Sequence, residues 1–344
     1  MIDDPATVAI TASELIILAA AMGAVAGTLW ILPAAKSAEP QENWVKVPHR
    51  LWKLLGLCLV ALSFTSLAGL LLRTASMSEL PVWSAFPALG TVLFKTHFGQ
   101  LWLWRAAALL GLWIIWALQG RNLASRPAST GGFIGLVIIL FTLSGSGHTG
   151  DDGLFSLSNL ANTLHLIGAF LWGGGIVAMM MIILPVLLRS RTAARELIAL
   201  TSLRLSTLAG IALAMVLVPG IYNAWLLVGS WQGLWENLYG QFLLVKIALA
   251  AAMAGLGALN RYVYVPAIQR HAGLPEPRIL LPLPRFMHTH NEAGSPKHFL
   301  KSLRVETALL IGVLAFAAAL SQQTPAAHAE HEMAEHADSA LSSE

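Results

Sequence analysis

A single cysteine, Cys58, is all the thiol chemistry this chain contains. One cysteine excludes an intrachain disulfide and a cysteine-built metal cluster. Charge is scarce as well: 11% of residues are Asp, Glu, Lys or Arg, against about a quarter in a soluble globular domain. There is no CxxC, no HExxH, no glycine-rich phosphate loop and no Ser-His-Asp order, so the motifs that mark soluble catalytic sites are missing. The chain is not expected to be an enzyme. Nor do its basic residues interleave with aromatics as a nucleic-acid groove requires, so no nucleic-acid partner is expected.

Apolar residues are abundant instead. They make up 56% of the 344 residues and fall in runs of about 20, enough to cross about 30 Å of hydrocarbon as helix. The sequence therefore predicts an all-α, polytopic membrane bundle with the lipid bilayer as its surroundings. Eight transmembrane helices are expected at roughly 13–32, 51–72, 98–118, 131–146, 158–188, 204–229, 240–264 and 303–321. The first follows the acidic "MIDDPATVAI", where a secretory signal would be basic, and reads as an uncleaved helix. Residues 1–322 form one membrane domain on this reading. The small, acidic tail 323–344 is expected to be disordered.

Charge distribution supplies the orientation. Of the 21 Lys and Arg, about 17 fall in odd-numbered loops, around 33–53, 119–130, 189–204 and 261–304, and short basic loops stay in the cytoplasm. Even loops carry Glu79, Asp151, Asp152 and Glu236. Both termini are thus expected in the periplasm. The stretch 74–96, with Pro81 and Pro87, is expected to lie along the outer interface, and the Pro-rich 265–300 to be irregular.

With that orientation, Arg105, His165, Asn223 and Lys246 share one depth band in the outer halves of four helices. A charge at mid-membrane costs about 2.5–3.5 kcal/mol on insertion scales, so each should face a partner or a polar cavity. Snorkelling to the outer interface is the plainer alternative for Arg105 and Lys246. His97 marks the mouth of the third helix, while His148, Asp151 and Asp152 fill the outer loop above His165. In "NTLHLIGAFLWGGGIVAMM", His165, Trp172 and Met179 fall on one helical stripe. Imidazole and thioether suit copper as successive stations. The plainer alternative is a packed histidine, bonded to neighbouring backbone or to Asn223. Gly173, Gly174 and Gly175 should permit close helix approach. The tail "HAEHEMAEH" offers His328, His331, Met333 and His336 for capture of a divalent ion or Cu(I).

These stretches resemble a family. "ANTLHLIGAFLWGGGIVAM", "FKTHFGQLWLWR", "PGIYNAWLLVGS", "YGQFLLVKIALA", "GALNRYVYVP" and "LRVETALLIGVLAF" are similar, in order, to segments of the CopD (PcoD) copper-resistance proteins. The resemblance implies an eight-helix bacterial inner-membrane protein that handles a copper ion, moving it from periplasm toward cytoplasm. It singles out His97, Arg105, His165, Trp172, Asn223, Lys246 and Glu306. A periplasmic copper-binding protein is an expected partner. Two alternatives come from other classes. One is a membrane redox protein that ligates haem b through outer-half histidines. The other is a non-transporting membrane partner in copper delivery.

Overall fold

The structure, a computed structural model, describes residues 5–33, 42–119, 125–147, 150, 153–189, 194–275 and 293–323. Among them are eight helices long and apolar enough to cross a membrane. We number these α1 (Pro5–Ile31), α2 (Lys46–Ser78), α3 (His97–Leu118), α4 (Arg126–Gly145), α5 (Leu157–Leu188), α6 (Ala194–Val228), α7 (Leu238–His271) and α8 (Ser295–Leu320). No strand occurs among the described residues. In hydrocarbon a helix satisfies its backbone polar groups internally, and that leaves little else for such runs to form.

Every helix matches an apolar run, but several are longer than the run. α6 begins ten residues ahead of its expected start near 204, and α8 begins at Ser295 rather than near 303. Hydropathy marks the stretch in lipid, whereas hydrogen bonding carries the helix on through its polar flank. Two starts are capped from the side chain: Thr96 Oγ1 accepts from Gly99 N at 3.0 Å, and Ser156 Oγ from Asn159 N at 3.2 Å. Such caps satisfy backbone donors that lack a partner in the first turn. Between α2 and α3 the chain forms two short turns and the helix Leu89–Lys95, too short to cross, as the prolines predict.

α1 and α5 form the centre. α1 packs against α2, α4, α5 and α8, while α5 packs most extensively on α6. The three consecutive glycines of α5 each admit a different neighbour. A Cβ on Gly173 would strike the Leu310 side chain of α8, one on Gly174 the backbone of Ala19 and Gly23 in α1, and one on Gly175 Leu205 of α6. The helix stays continuous through them. Three tryptophans of α3 join it to α2 through their indole N–H groups: Trp102 to Ser66 O (3.1 Å), Trp113 to Ser63 Oγ (3.2 Å) and Trp116 to Trp52 O (3.0 Å).

α1, α5 and α7 each contain one π turn: Gly27–Ile31, Met179–Ile183 and Asn260–Tyr264. Each is followed two residues later by a proline: Pro33, Pro185 or Pro266. A proline clashes with the carbonyl four residues back. For Pro185 and Pro266 that carbonyl, of Met181 or Tyr262, lies inside the widened turn, which relieves the clash, whereas α1 ends at its π turn with Leu32 extended before Pro33. α7 accordingly runs on past Pro266 to His271, where the sequence reading ended it at 264.

We call the end where the odd-numbered helices begin the amino face. Aromatic side chains crowd its outside: Trp83 is 83% exposed, and Phe86, Phe94, Phe155, Trp231 and Trp235 are also exposed. Aromatic rings of this kind anchor a bundle at headgroup level. At the opposite face two of the arginines counted for topology also bond backbone carbonyls, one at the end of α1 and one within α6. Arg204 Nη1 donates to Leu32 O at 2.8 Å, and Arg261 Nη1 to Ser206 O at 2.9 Å.

Candidate functional site

The polar residues of the amino half form two hydrogen-bonded groups that together draw on five helices. On α3, Arg105 is buried and its Nη1 meets Glu14 Oε1 of α1 at 3.3 Å. Arg105 Nε donates to Thr142 Oγ1 of α4 at 3.4 Å. Thr142 in turn donates to Ile139 O. Two residues on, and on the other side of α4, a second group begins at Ser144, whose Oγ donates to Asn159 Oδ1 of α5 at 2.6 Å. That same Oγ accepts from Asn162 Nδ2 at 2.9 Å. Asn162 Oδ1 then accepts from Asn223 Nδ2 of α6 at 3.3 Å. Asn223 Oδ1 is buried and has no partner among the described residues.

His165 lies one turn below Asn162 on α5, half-buried against α6. Its ring rests on Gly220, where a Cβ would come within 3.0 Å of Nδ1 and Cε1. Nδ1 lies 2.8 Å from Val216 O. A carbonyl can only accept, so Nδ1 carries the proton and the Nε2 lone pair is left for another partner. The packed alternative is therefore true of one ring nitrogen. Such an arrangement, one ring N–H held by a carbonyl and the other nitrogen free, is also how metal-ligating histidines are oriented. Lys246 of α7 lies within electrostatic reach of His165, so three helices bring charge or lone pairs to this level.

The depth band expected from the sequence thus divides. Arg105 is an ion-paired residue held between α1, α3 and α4, whereas Asn223, Lys246 and His165 gather between α5, α6 and α7. Glu14 was not singled out by sequence reasoning. Its signal was there, as the one acidic residue inside the first apolar run, but nothing local says which cation faces it.

The remaining candidates are spread out. His97 is exposed at the first turn of α3. Trp172 and Met179 belong to the apolar core, and Met179 is 0% exposed. His148, Asp151, Asp152 and the tail residues His328, His331, Met333 and His336 lie outside the described residues. Among the described residues no three His, Cys, Asp or Glu side chains gather as a metal cluster.

Glu306 forms a separate polar centre toward the opposite face. It sits three turns into α8, 2% exposed, and accepts a hydrogen bond from Asn260 Nδ2 in the π turn of α7. Burying an ionised carboxylate costs several kcal/mol, and one amide donor returns about 1.5–3 kcal/mol of that. Asn260 Oδ1 and Ser302 Oγ, the latter one turn before Glu306, are buried without partners among the described residues.

Comparison with known proteins follows the same outline. The profile described as Copper resistance protein D matches residues 199–320. The profile described as Copper resistance protein D-like, N-terminal domain, matches residues 1–157. Between the two lies the stretch 158–198, with α5 and His165. Copper resistance protein D of Pseudomonas syringae pv. tomato is 30% identical over 220 residues, 61% of this chain and 70% of that protein. Copper transport protein CutJ of Bacillus subtilis (strain 168) is 31% identical over 170 residues, 49% of this chain and 31% of that protein. Inner membrane protein YebZ of Escherichia coli (strain K12) is 30% identical over 188 residues, 54% of this chain and 61% of that protein. No solved structure matches the chain.

Proposed function

This chain belongs to the copper resistance protein D family, and from that premise we propose that it moves copper across the bacterial inner membrane, from periplasm toward cytoplasm. It does so without enzymatic activity, with both termini and the tail 323–344 on the periplasmic side. The amino face is then the outer one. His148, Asp151, Asp152 and the tail imidazoles collect the ion, with a periplasmic copper-binding protein as donor, and His165 takes it inside the bundle. The observation that carries this reading is the state of the His165 ring. Nδ1 is held by Val216 O, which leaves Nε2 as a lone pair at membrane depth, one turn from Asn162, whose partner Asn223 has an Oδ1 with no hydrogen-bond partner among the described residues.

Lys246 sets the terms of occupancy. A nearby ammonium opposes a bare cation, so copper is held briefly and released rather than stored. Imidazole must be neutral to ligate, so copper retention falls on acidification as the ring protonates.

The test is bound copper in protein purified without residues 323–344, with and without His165→Leu. Loss of the bound metal is expected, with folding intact, because leucine removes a polar group from lipid depth. Equal copper in the two proteins overturns the ligand role. An absorbance spectrum of the same samples separates copper from haem b, whose Soret band is absent on this reading.

A further inference from the structure

Among the described residues two carboxyls are deeply buried, and they are neutralised differently. Glu14 faces the Arg105 guanidinium at 3.3 Å. Glu306 faces the amide of Asn260. The other charged and titratable groups on the elements around Glu306 are committed or placed elsewhere. α1 contributes Glu14, ion-paired near the amino face, and α5 contributes His165, bonded to Val216 O. On α7, Lys246 lies within reach of His165, Arg261 is held on Ser206, and Tyr264 stacks on His298. Tyr239 is at the far end of that helix, Tyr262 is in its π turn, and Arg270 and His271 lie in its last turn. On α8 itself Lys297, His298, Lys301 and Arg304 are exposed. Among the described residues Glu306 has no ion pair.

A buried carboxyl without a counter-ion is neutralised by what it binds. The surroundings are suited to a proton rather than a metal ion, because no second carboxylate, imidazole or thiol joins Glu306 in a ligand cluster among the described residues. They are also able to exchange it. Asn260 Oδ1, on the amide that meets the carboxyl, and Ser302 Oγ, one turn before Glu306, are buried polar atoms with no hydrogen-bond partner among the described residues. Asn260 begins a π turn, and such widened turns recur at functional sites in helices.

We propose that Glu306, with Asn260 as its hydrogen-bond partner and Ser302 one turn away, is an exchangeable proton-binding site in the half of the bundle opposite His165. The site goes beyond the copper reading and does not depend on it. A membrane protein that moves a cation gains from such a group a way to alternate the charge of its interior.

Infrared spectroscopy of the full-length protein in lipid tests this at neutral pH. The wild type should show the carbonyl stretch of a buried carboxylic acid, lost completely in Glu306→Gln and shifted on transfer to heavy water. Asn260→Ala should move the band to higher frequency, since the carbonyl loses its donor, and this variant reads the site even if Glu306→Gln fails to fold. The band should survive in Glu14→Gln and in His165→Leu, so failure of the copper ligand leaves this result standing. Absence of any Glu306-dependent or Asn260-dependent acid band overturns the proposal. A band that never exchanges with heavy water also overturns it, leaving a locked structural proton.

Discussion

A buried guanidinium is tolerable in hydrocarbon because a carboxylate stands 3.3 Å away, and this pairing makes Arg105 and Glu14 a single unit. Removing one partner strands the other charge, which costs about 3–5 kcal/mol, while replacing both with apolar groups is often nearly neutral. Glu14→Leu or Arg105→Leu alone should therefore destabilise the protein by that amount in detergent unfolding titrations. The double variant should recover most of the loss. Additive losses in the double-mutant cycle would show that the two residues act independently. Arg105 was legible in the sequence as a charge that needed a partner. Glu14 was not, because a partner on another helix is set by packing and leaves no trace in local spacing. Asn260 escaped for the same reason: its importance comes from facing Glu306, 46 positions later in the chain.

Helices here are positioned by what their small residues allow. Gly23 of α1 and Gly174 of α5 meet backbone to backbone, and a Cβ on Gly23 would lie 2.1 Å from Gly174 O. Backbone cannot swing aside as a flexible side chain can, so α1 must move away from α5. Gly23→Ala should cost about 1–3 kcal/mol or more, as overpacking does, and lower the unfolding temperature. Gly111→Ala is the control. Nothing lies within 4 Å of its added Cβ, and removing a mid-helix glycine should stabilise by about 0.5–1 kcal/mol. Equal stability of the two variants would refute the close crossing as an organising contact. The glycine run "GGG" was readable as a site of close approach. That its three members face α8, α1 and α6 in turn follows from the 100° step of the helix, but the identity of each neighbour required the assembled bundle. The π turns before Pro33, Pro185 and Pro266 were not foreseen. Proline reads locally as a helix end, and so it is at Pro33, yet at Pro185 and Pro266 a widened turn ahead of it lets the helix continue.

For the molecule as a whole, orientation is the property that function depends on most. If the amino face is periplasmic, His165 is reached from outside and Glu306 lies toward the cytoplasm. Reversal would exchange those roles. A reporter active only in the cytoplasm, fused after residue 322, should stay inactive, whereas one fused after residue 122, in a basic loop, should be active. Strong activity at 322 would overturn the orientation and with it the proposed direction of copper movement. The arginines behind this expectation also have structural duties, since Arg204 caps the carbonyl of Leu32 after α1 and Arg261 holds α7 to Ser206 of α6. Their positions therefore serve both topology and packing.

The sequence by itself determined the all-α membrane class and the number of spans. These follow from hydropathy over about 20 residues, a one-dimensional property that lipid imposes on any chain. The tertiary structure alone decided the pairings: Arg105 with Glu14 and Thr142, Asn223 with Asn162, His165 with Val216 O, and Glu306 with Asn260. Depth in a bilayer is one coordinate. A hydrogen bond needs three, and the other two depend on which helices lie side by side and how each is rotated, which glycine contacts and π turns settle only once the bundle is packed.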